Sequence, residues 1–232
     1  MPDVQVVPVP IQMGPMNVMA YLLLGDRVVI VDTGVAGQRD LILTALADAG
    51  RVPAEVSLIL LTHGHGDHAG SADALREVTG APIALGAGDE EKCQAAVDTE
   101  MRGRGFAGRA ALAAIRKRQT GAPRPPGPVP DLIIDSERSL AEYGIDAVVL
   151  PMPGHTRGSL AVFTASGDAL VGDLLGGGGL SRPRPRKGIF FSNMEAMENS
   201  IAEVISREPR RVFTGHDLQP FTLEQMCRAF PR

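Results

Sequence analysis

Apolar positions come in short runs along this chain, and the spacing inside each run predicts an element. Residues 4–11 alternate weakly and read as an edge strand, with Pro8 and Pro10 expected to limit its pairing. The runs 17–24 and 27–31 flank Gly25-Asp26, a hairpin signal, and Asp32-Thr33-Gly34 ends the second of them. Leu41, Ile42 and Leu46 fall at helical spacing in 40–49, and Gly50 supplies the stop. A strand over 56–61, a helix over 69–78 closed by Gly80 and a short strand over 82–85 follow.

The texture changes over 86–131. Helical patterns over 89–101 and 107–119 are separated by Arg102-Gly103-Arg104-Gly105, and the second runs into the stiff, proline-rich stretch 123–128. This is too long for an ordinary connection, so a helical insertion or lid is expected over 86–131. Strand signals return at 132–134, 147–151, 160–164 and 169–171. A loop over 176–188 opens with four consecutive glycines. A helix over 193–207, a short strand ending in Gly215-His216-Asp217 and a helix over 222–230 complete the pattern. Both halves run through strands and then a helix, which predicts an α/β fold with two sheets covered by helices.

Composition narrows the function classes. The chain has 232 residues, 44% of them hydrophobic and 22% charged, as in an ordinary globular protein with a sizeable core. A net charge of −4 supplies no field for nucleic acid or an anionic membrane, so neither partner is expected. The N-terminus has no basic stretch followed by a signal-type apolar core, and 18–24 is too short to span a bilayer. Cys93 and Cys227 are isolated thiols that suit a reducing compartment, and a cytoplasmic location is expected.

The candidate chemistry is concentrated where the apolar run 58–61 breaks into Thr62-His63-Gly64-His65-Gly66-Asp67-His68-Ala69-Gly70. Three of the chain's five histidines are here, and the other two, His155 and His216, each follow an apolar run and a glycine. His63 and His65 are two apart, so on extended backbone both rings face one side and can reach one ion. Gly64 and Gly66 let the loop wrap closely around a cation. Asp67 and His68 lie where a helix begins and can turn towards a second ion. A lone histidine is ordinarily a hydrogen-bonded surface or core residue. Four ligand-type residues packed between a strand and a helix point to a metal instead.

The ordered motifs are His63-x-His65-x-Asp67-His68, His155 in Pro-Gly-His-Thr, Asp173 in Val-Gly-Asp and His216 in Thr-Gly-His, with Asp32-Thr33-Gly34 ahead of them. Over 32–216 they resemble the metallo-β-lactamase superfamily. The resemblance implies a four-layer αββα sandwich over 1–232 as one domain, with the helical insertion inside it and the metals at one edge between the sheets. It implies that His63, His65 and His155 bind one metal, that Asp67, His68 and His216 bind a second, and that Asp173 bridges both. The donors are nitrogen and oxygen with no thiolate, so two divalent ions are expected, zinc first, with iron or manganese open. Such ions lower the pKa of bound water from about 15.7 to near 7. The implied activity is hydrolysis by a dinuclear metal-bound hydroxide, with Asp67 and Asp173 as the catalytic carboxylates. Asp32 would orient ligands by hydrogen bonds.

The layout is nearest to lactonases and glyoxalase II, so a small ester, lactone or thioester is the expected substrate. True β-lactamases generally lack the bridging aspartate. The lactonases' tyrosine, three residues after that aspartate, is Gly176 here. Glyoxalase II adds a C-terminal helical domain that is not expected here. In the loop after Asp173, Arg182, Arg184, Arg186 and Lys187 are candidates to meet an anionic substrate group. The alternatives are a mononuclear iron oxidoreductase of the persulfide dioxygenase kind, and a β-lactam or phosphodiester hydrolase. Gly103-x-Gly105-x-x-Gly108 matches a dinucleotide fingerprint by letter but follows a polar stretch, so it reads as a flexible joint. There is no G-x-S-x-G elbow and no G-x-x-x-x-G-K-[ST] phosphate loop.

Overall fold

In a computed structural model the described residues are 3–14, 16–94, 98–119, 127–176 and 184–231. The first half comprises β1 (Gln5–Met13), β2 (Met16–Leu24), β3 (Val28–Val31), α1 (Arg39–Asp48), β4 (Val56–Leu60), α2 (Gly66–Ala69), α3 (Ala72–Thr79) and β5 (Ile83–Gly86). The expected insertion supplies α4 (Glu90–Gln94), β6 (Arg102–Gly103) and α5 (Gly105–Gln119). The second half comprises β7 (Leu132–Ile134), β8 (Arg138–Ser139), β9 (Ala147–Pro151), β10 (Leu160–Thr164), β11 (Asp168–Leu170) and β12 (Leu175–Gly176). It closes with β13 (Arg186–Lys187), β14 (Phe190–Phe191), α6 (Met194–Ser206), β15 (Arg211–Phe213), β16 (Phe221–Thr222) and α7 (Leu223–Ala229).

Two six-stranded sheets carry the structure, in the orders β1-β2-β3-β4-β5-β7 and β16-β15-β11-β10-β9-β8. Strands β3, β4, β5 and β7 are parallel, and β11 is parallel to β15. The continuous apolar runs of the sequence arise because these strands are buried on both faces. In β2, Met19, Tyr21 and Leu23 point into the core between the sheets, where Val149, Leu160, Val162 and Phe213 meet them. The alternating Val18, Ala20 and Leu22 face outwards onto Ile42 and Leu46 of α1 and Leu75 of α3. On the other flank, Ala161 and Phe163 of β10 pack under Met197, Ile201 and Val204 of α6 and Met226 of α7. The order of layers is therefore helices, sheet, sheet, helices, the αββα sandwich.

Four local expectations are corrected. Pro8 and Pro10 do not limit β1, which pairs with β2 along its whole length from Gln5↔Leu24 to Met13↔Met16. β1 is an edge strand, and a proline costs no ladder bond where its missing N–H would face the open edge. The helix expected over 69–78 is two helices, α2 and α3, with Gly70 between them. A side chain at Gly70 would lie 2.4 Å from the Ala36 nitrogen, so the chain there packs backbone to backbone. The helix expected over 89–101 is reduced to α4 in the described residues, because Asp98 accepts bonds from the backbone of Glu100 (2.9 Å) and Met101 (3.2 Å) and turns the chain instead. The glycine-rich 102–105 is no loose joint: β6 pairs with β14, and a Cβ on Gly103 would sit 2.3 Å from the Gly108 carbonyl. The stiff stretch of the proline-rich connection up to residue 126 lies outside the described residues.

Cys93 is buried against the outer face of the first sheet, whereas Cys227 is exposed, and both are free thiols. Burial first, and then the nearby Asp89 carboxylate, push the Cys93 thiol up to about 12. A disulfide reagent at mildly alkaline pH is expected to modify one thiol in the folded protein and both of the chain's two cysteines after denaturation. Rapid labelling of both in the folded state would contradict this burial.

Candidate metal centre

The first sheet's parallel strands and the matching directions of β9, β11 and β15 bring several strand ends to one edge of the sandwich. Asp32 follows β3, and His63 and His65 follow β4. His65 caps α2, its carbonyl accepting from the amides of His68 and Ala69 (both 2.9 Å), and α2 carries Asp67 and His68. His155 follows β9, Asp173 lies in a 3-10 turn (Gly172–Leu174) after β11, and His216 follows β15.

The seven side chains singled out as ligands converge. Three sets of ligand atoms lie within 4.8 Å of one another: His63, His65 and His155; His63, His68 and Asp173; and Asp67, His68 and His216. Asp173 spans the cluster. Its Oδ1 is 3.4 Å from His68 Nε2, and its Oδ2 is 3.2 Å from His216 Nε2 and 3.7 Å from His155 Nε2. His63 Nε2, His68 Nε2 and Asp173 Oδ1 are buried without a hydrogen-bond partner. Buried polar atoms are rarely left unpaired, so three aimed into one space fit a cation. Gly215 keeps that space open, since a Cβ there would stand 2.1 Å from Asp173 Oδ1 and 2.7 Å from His68 Cε1.

Each imidazole is fixed by its other nitrogen. Thr62 Oγ1 lies 3.1 Å from His63 Nδ1 and donates to Asp32 Oδ2 at 2.7 Å. His68 Nδ1 lies 2.8 Å from the same Asp32 oxygen, so the carboxylate holds both the strand end and a candidate ligand. His216 Nδ1 meets the Asn17 carbonyl at 2.7 Å, and Tyr21 donates to the Thr214 carbonyl at 2.6 Å, so β2 pins the loop carrying His216. His155 Nδ1 meets the Phe190 carbonyl at 3.0 Å, and His65 Nε2 meets Asp98 at 3.1 Å.

The cluster's charges sort by sign. Burial, then the neighbouring imidazoles, hold His63 well below the usual histidine range. Burial likewise brings His155 down to about 4 against the pull of Asp173. At His68 and His216 burial pulls the same way but loses to carboxylates. Asp173 and Asp32 hold His68 well above its usual range, and Asp173 raises His216 to about 9. Burial opposes ionisation of Asp173, yet His216 and His68 hold it well below the usual carboxylate range. The acid groups thus form a negative focus that a cation would neutralise.

The basic loop residues divide. Arg182 lies outside the described residues, Lys187 pairs with Glu198, and Arg184 and Arg186 are exposed. Arg186 faces Gly176 in the β12–β13 pair, which follows Asp173 directly. Sequence reasoning missed two acids. Asp98 gave no local signal. Asp89 is fully buried and accepts from the amides of Gly64 (2.9 Å) and Gly158 (3.0 Å) and from Thr156 Oγ1 (2.6 Å), tying the His63–His68 loop to the His155 loop.

Layers of this order, with imidazoles and carboxylates gathered at one edge between the sheets, define a class of metal-dependent enzyme. The chain belongs to the metallo-beta-lactamase superfamily, whose profile matches residues 13–216. Members of this superfamily typically bind divalent metals. Among relatives, the chain is 28% identical over 208 residues to the probable metallo-hydrolase YqgX of Bacillus subtilis, covering 88% of this chain and 86% of that protein. It is also 28% identical over 206 residues to a hydroxyacylglutathione hydrolase of Cereibacter sphaeroides, covering 87% of this chain but only 62% of that enzyme. The crystal structure of TTHA1623 in a di-iron-bound form superposes with a TM-score of 0.68 at 28% identity, over 96% of this chain and 98% of that one. The chain is accordingly an enzyme of the metallo-hydrolase kind. Among the described residues, no helix is long and apolar enough to cross a membrane.

Proposed function

We propose that this chain is a dinuclear metallo-hydrolase that cleaves a small ester, lactone or thioester. The observation that carries the reading is the trio of buried, unpartnered atoms on His63, His68 and Asp173, facing a space ringed by four more ligand-type side chains. In this reading His63, His65 and His155 hold one cation, and Asp67, His68 and His216 hold the other. Asp173 serves both, its two oxygens reaching towards different histidines. The donor set is nitrogen and oxygen, which favours zinc and admits iron or manganese. The di-iron form of TTHA1623 supports the count of two and keeps iron in play.

Two such cations, when bound, make water acidic enough to ionise near neutral pH and polarise a substrate carbonyl. The protein's own part is to hold that chemistry still. Asp32, Thr62, Asp98 and the carbonyls of Asn17 and Phe190 hold the outer nitrogen of each ring as an N–H, so the inner nitrogen is the one that would face a cation. Asp67 and His216 are the more open ligands, each 30% exposed at the side chain, so substrate enters on their side.

The likeness to hydroxyacylglutathione hydrolase supports a thioester within this class. Asp173 at the position true β-lactamases generally lack argues against β-lactams. With Lys187 engaged by Glu198, Arg184 and Arg186 are, among the described residues of that loop, the ones left to meet an anionic group, in addition to Arg182. A small-molecule substrate, with neither nucleic acid nor membrane as partner, fits the net charge of −4, and two free thiols fit the cytoplasm.

Metal analysis followed by a panel of thioester, lactone, β-lactam and phosphodiester substrates tests the reading. The expected result is two divalent ions per chain and turnover of a thioester or lactone without oxygen uptake. One iron per chain with oxygen consumed would replace it with the persulfide dioxygenase chemistry.

A further inference from the structure

The five anchors of the imidazoles come from two different parts of the chain. Those of His63, His68 and His216 are Thr62, Asp32 and the Asn17 carbonyl, all on or beside the first sheet. Those of His65 and His155 depend on the insertion. Asp98 belongs to it. Phe190 lies on β14, whose pairing partner is β6 of the insertion. The β6–α5 turn is itself clamped just ahead of that strand, since the Arg104 amide donates to the Ile189 carbonyl at 2.8 Å.

Asp98 is held from every side. Its side chain is 9% exposed, and Lys92 Nζ reaches its two oxygens at 3.2 and 3.1 Å. The amides of Glu100 and Met101 donate to it, and Arg116 of α5 bonds the carbonyls of Asp98 (3.1 Å) and Met101 (2.9 Å). A helix of the insertion thereby fixes the carboxylate that fixes His65. His65 in turn presents its Nδ1 to His155 Nε2 at 3.0 Å, where a shared cation would sit.

We infer that Asp98 is a positioning residue for His65, and that the part of the insertion from Asp98 through β6 selectively anchors His65 and His155 in the cation subsite they form with His63. The imidazoles of the other subsite, His68 and His216, have their anchors outside the insertion, in Asp32 and the Asn17 carbonyl. This rests on the dinuclear reading above. The physical reason is that a ligating imidazole whose outer N–H loses its carboxylate loses both orientation and basicity, at a cost of about 10–100-fold in metal affinity.

The test is zinc titration of the metal-stripped full chain against a chromophoric chelator, together with the visible spectrum of the cobalt-substituted protein. Wild type is expected to bind two equivalents. Asp98→Ala is expected to weaken one by about 10–100-fold and leave the other within about twofold. Asp98→Asn keeps the turn and an acceptor oxygen without the charge, so its effect falls in between. In a His65→Ala background, Asp98→Ala adds nothing, whereas in an Asp67→Ala background it acts in full. The cobalt spectrum changes in the band that His65→Ala abolishes. Equal weakening of both equivalents, or none of either, overturns the inference while leaving the two-metal reading intact. Wild type that binds no divalent cation overturns the two-metal reading itself.

Discussion

Asp173→Asn is expected to lower kcat/KM by about a thousandfold, equivalent to about 4 kcal/mol of transition-state stabilisation. The substitution keeps the shape of the side chain and removes its charge. Among the described residues, Asp173 is the one side chain whose oxygens reach His68, His155 and His216 together. An amide there offers one acceptor instead of two and turns a donor towards an imidazole lone pair. Metal content per chain should fall along with activity, and the far-UV spectrum should stay that of the wild type because the layers do not depend on this residue. Steady-state kinetics and metal analysis on the same preparation check both parts. Activity within about tenfold of wild type at full metal content would remove Asp173 from the reacting centre.

Asp89→Ala is expected to be the most destabilising single change near the site, at about 3–5 kcal/mol. The carboxylate is fully buried and accepts three bonds, from Gly64, Gly158 and Thr156. Truncation leaves two amides without an acceptor and leaves the Thr156 hydroxyl only Ser159 Oγ, at 2.8 Å, and each buried group left unpaired costs about 1–3 kcal/mol. No side chain can move in to help, because the Gly158 backbone packs so closely that a Cβ there would stand 2.5 Å from the Gly86 carbonyl. For a chain of this size, such a loss lowers Tm by about 6–20 °C. Asp89→Asn should fall between, since its amide oxygen can still serve one side of the bridge. Thermal unfolding of the metal-loaded and chelator-treated proteins measures the effect. A shift under about 2 °C for Asp89→Ala would show that the two loops are held by something else.

Much of this was legible before any coordinates. The alternation within β2, with odd positions turned to the inner core and even ones to α1 and α3, is a local property, because side chains of a strand alternate whatever the strand pairs with. The seven ligand-type residues were legible for the same reason. Each lies in the loop or short turn of helix that follows an apolar run, where a buried strand surrenders its chain. Where local pattern misled, a distant contact had intervened. Asp98 turns the chain where periodicity continued a helix, and Gly103 and Gly108 serve close backbone packing while Gly105 takes a positive φ.

The sequence by itself therefore determined the layers, the loops that carry chemistry and the ligand types within them, since all three are written in neighbours a few residues apart. Only the tertiary structure decided which nitrogen of each histidine faces inwards, and that Asp98 and Asp89 are the groups holding those loops in place. Those bonds join residues 33 and 69 positions apart, and no spacing rule encodes a contact that exists only once the sheets have closed on one another.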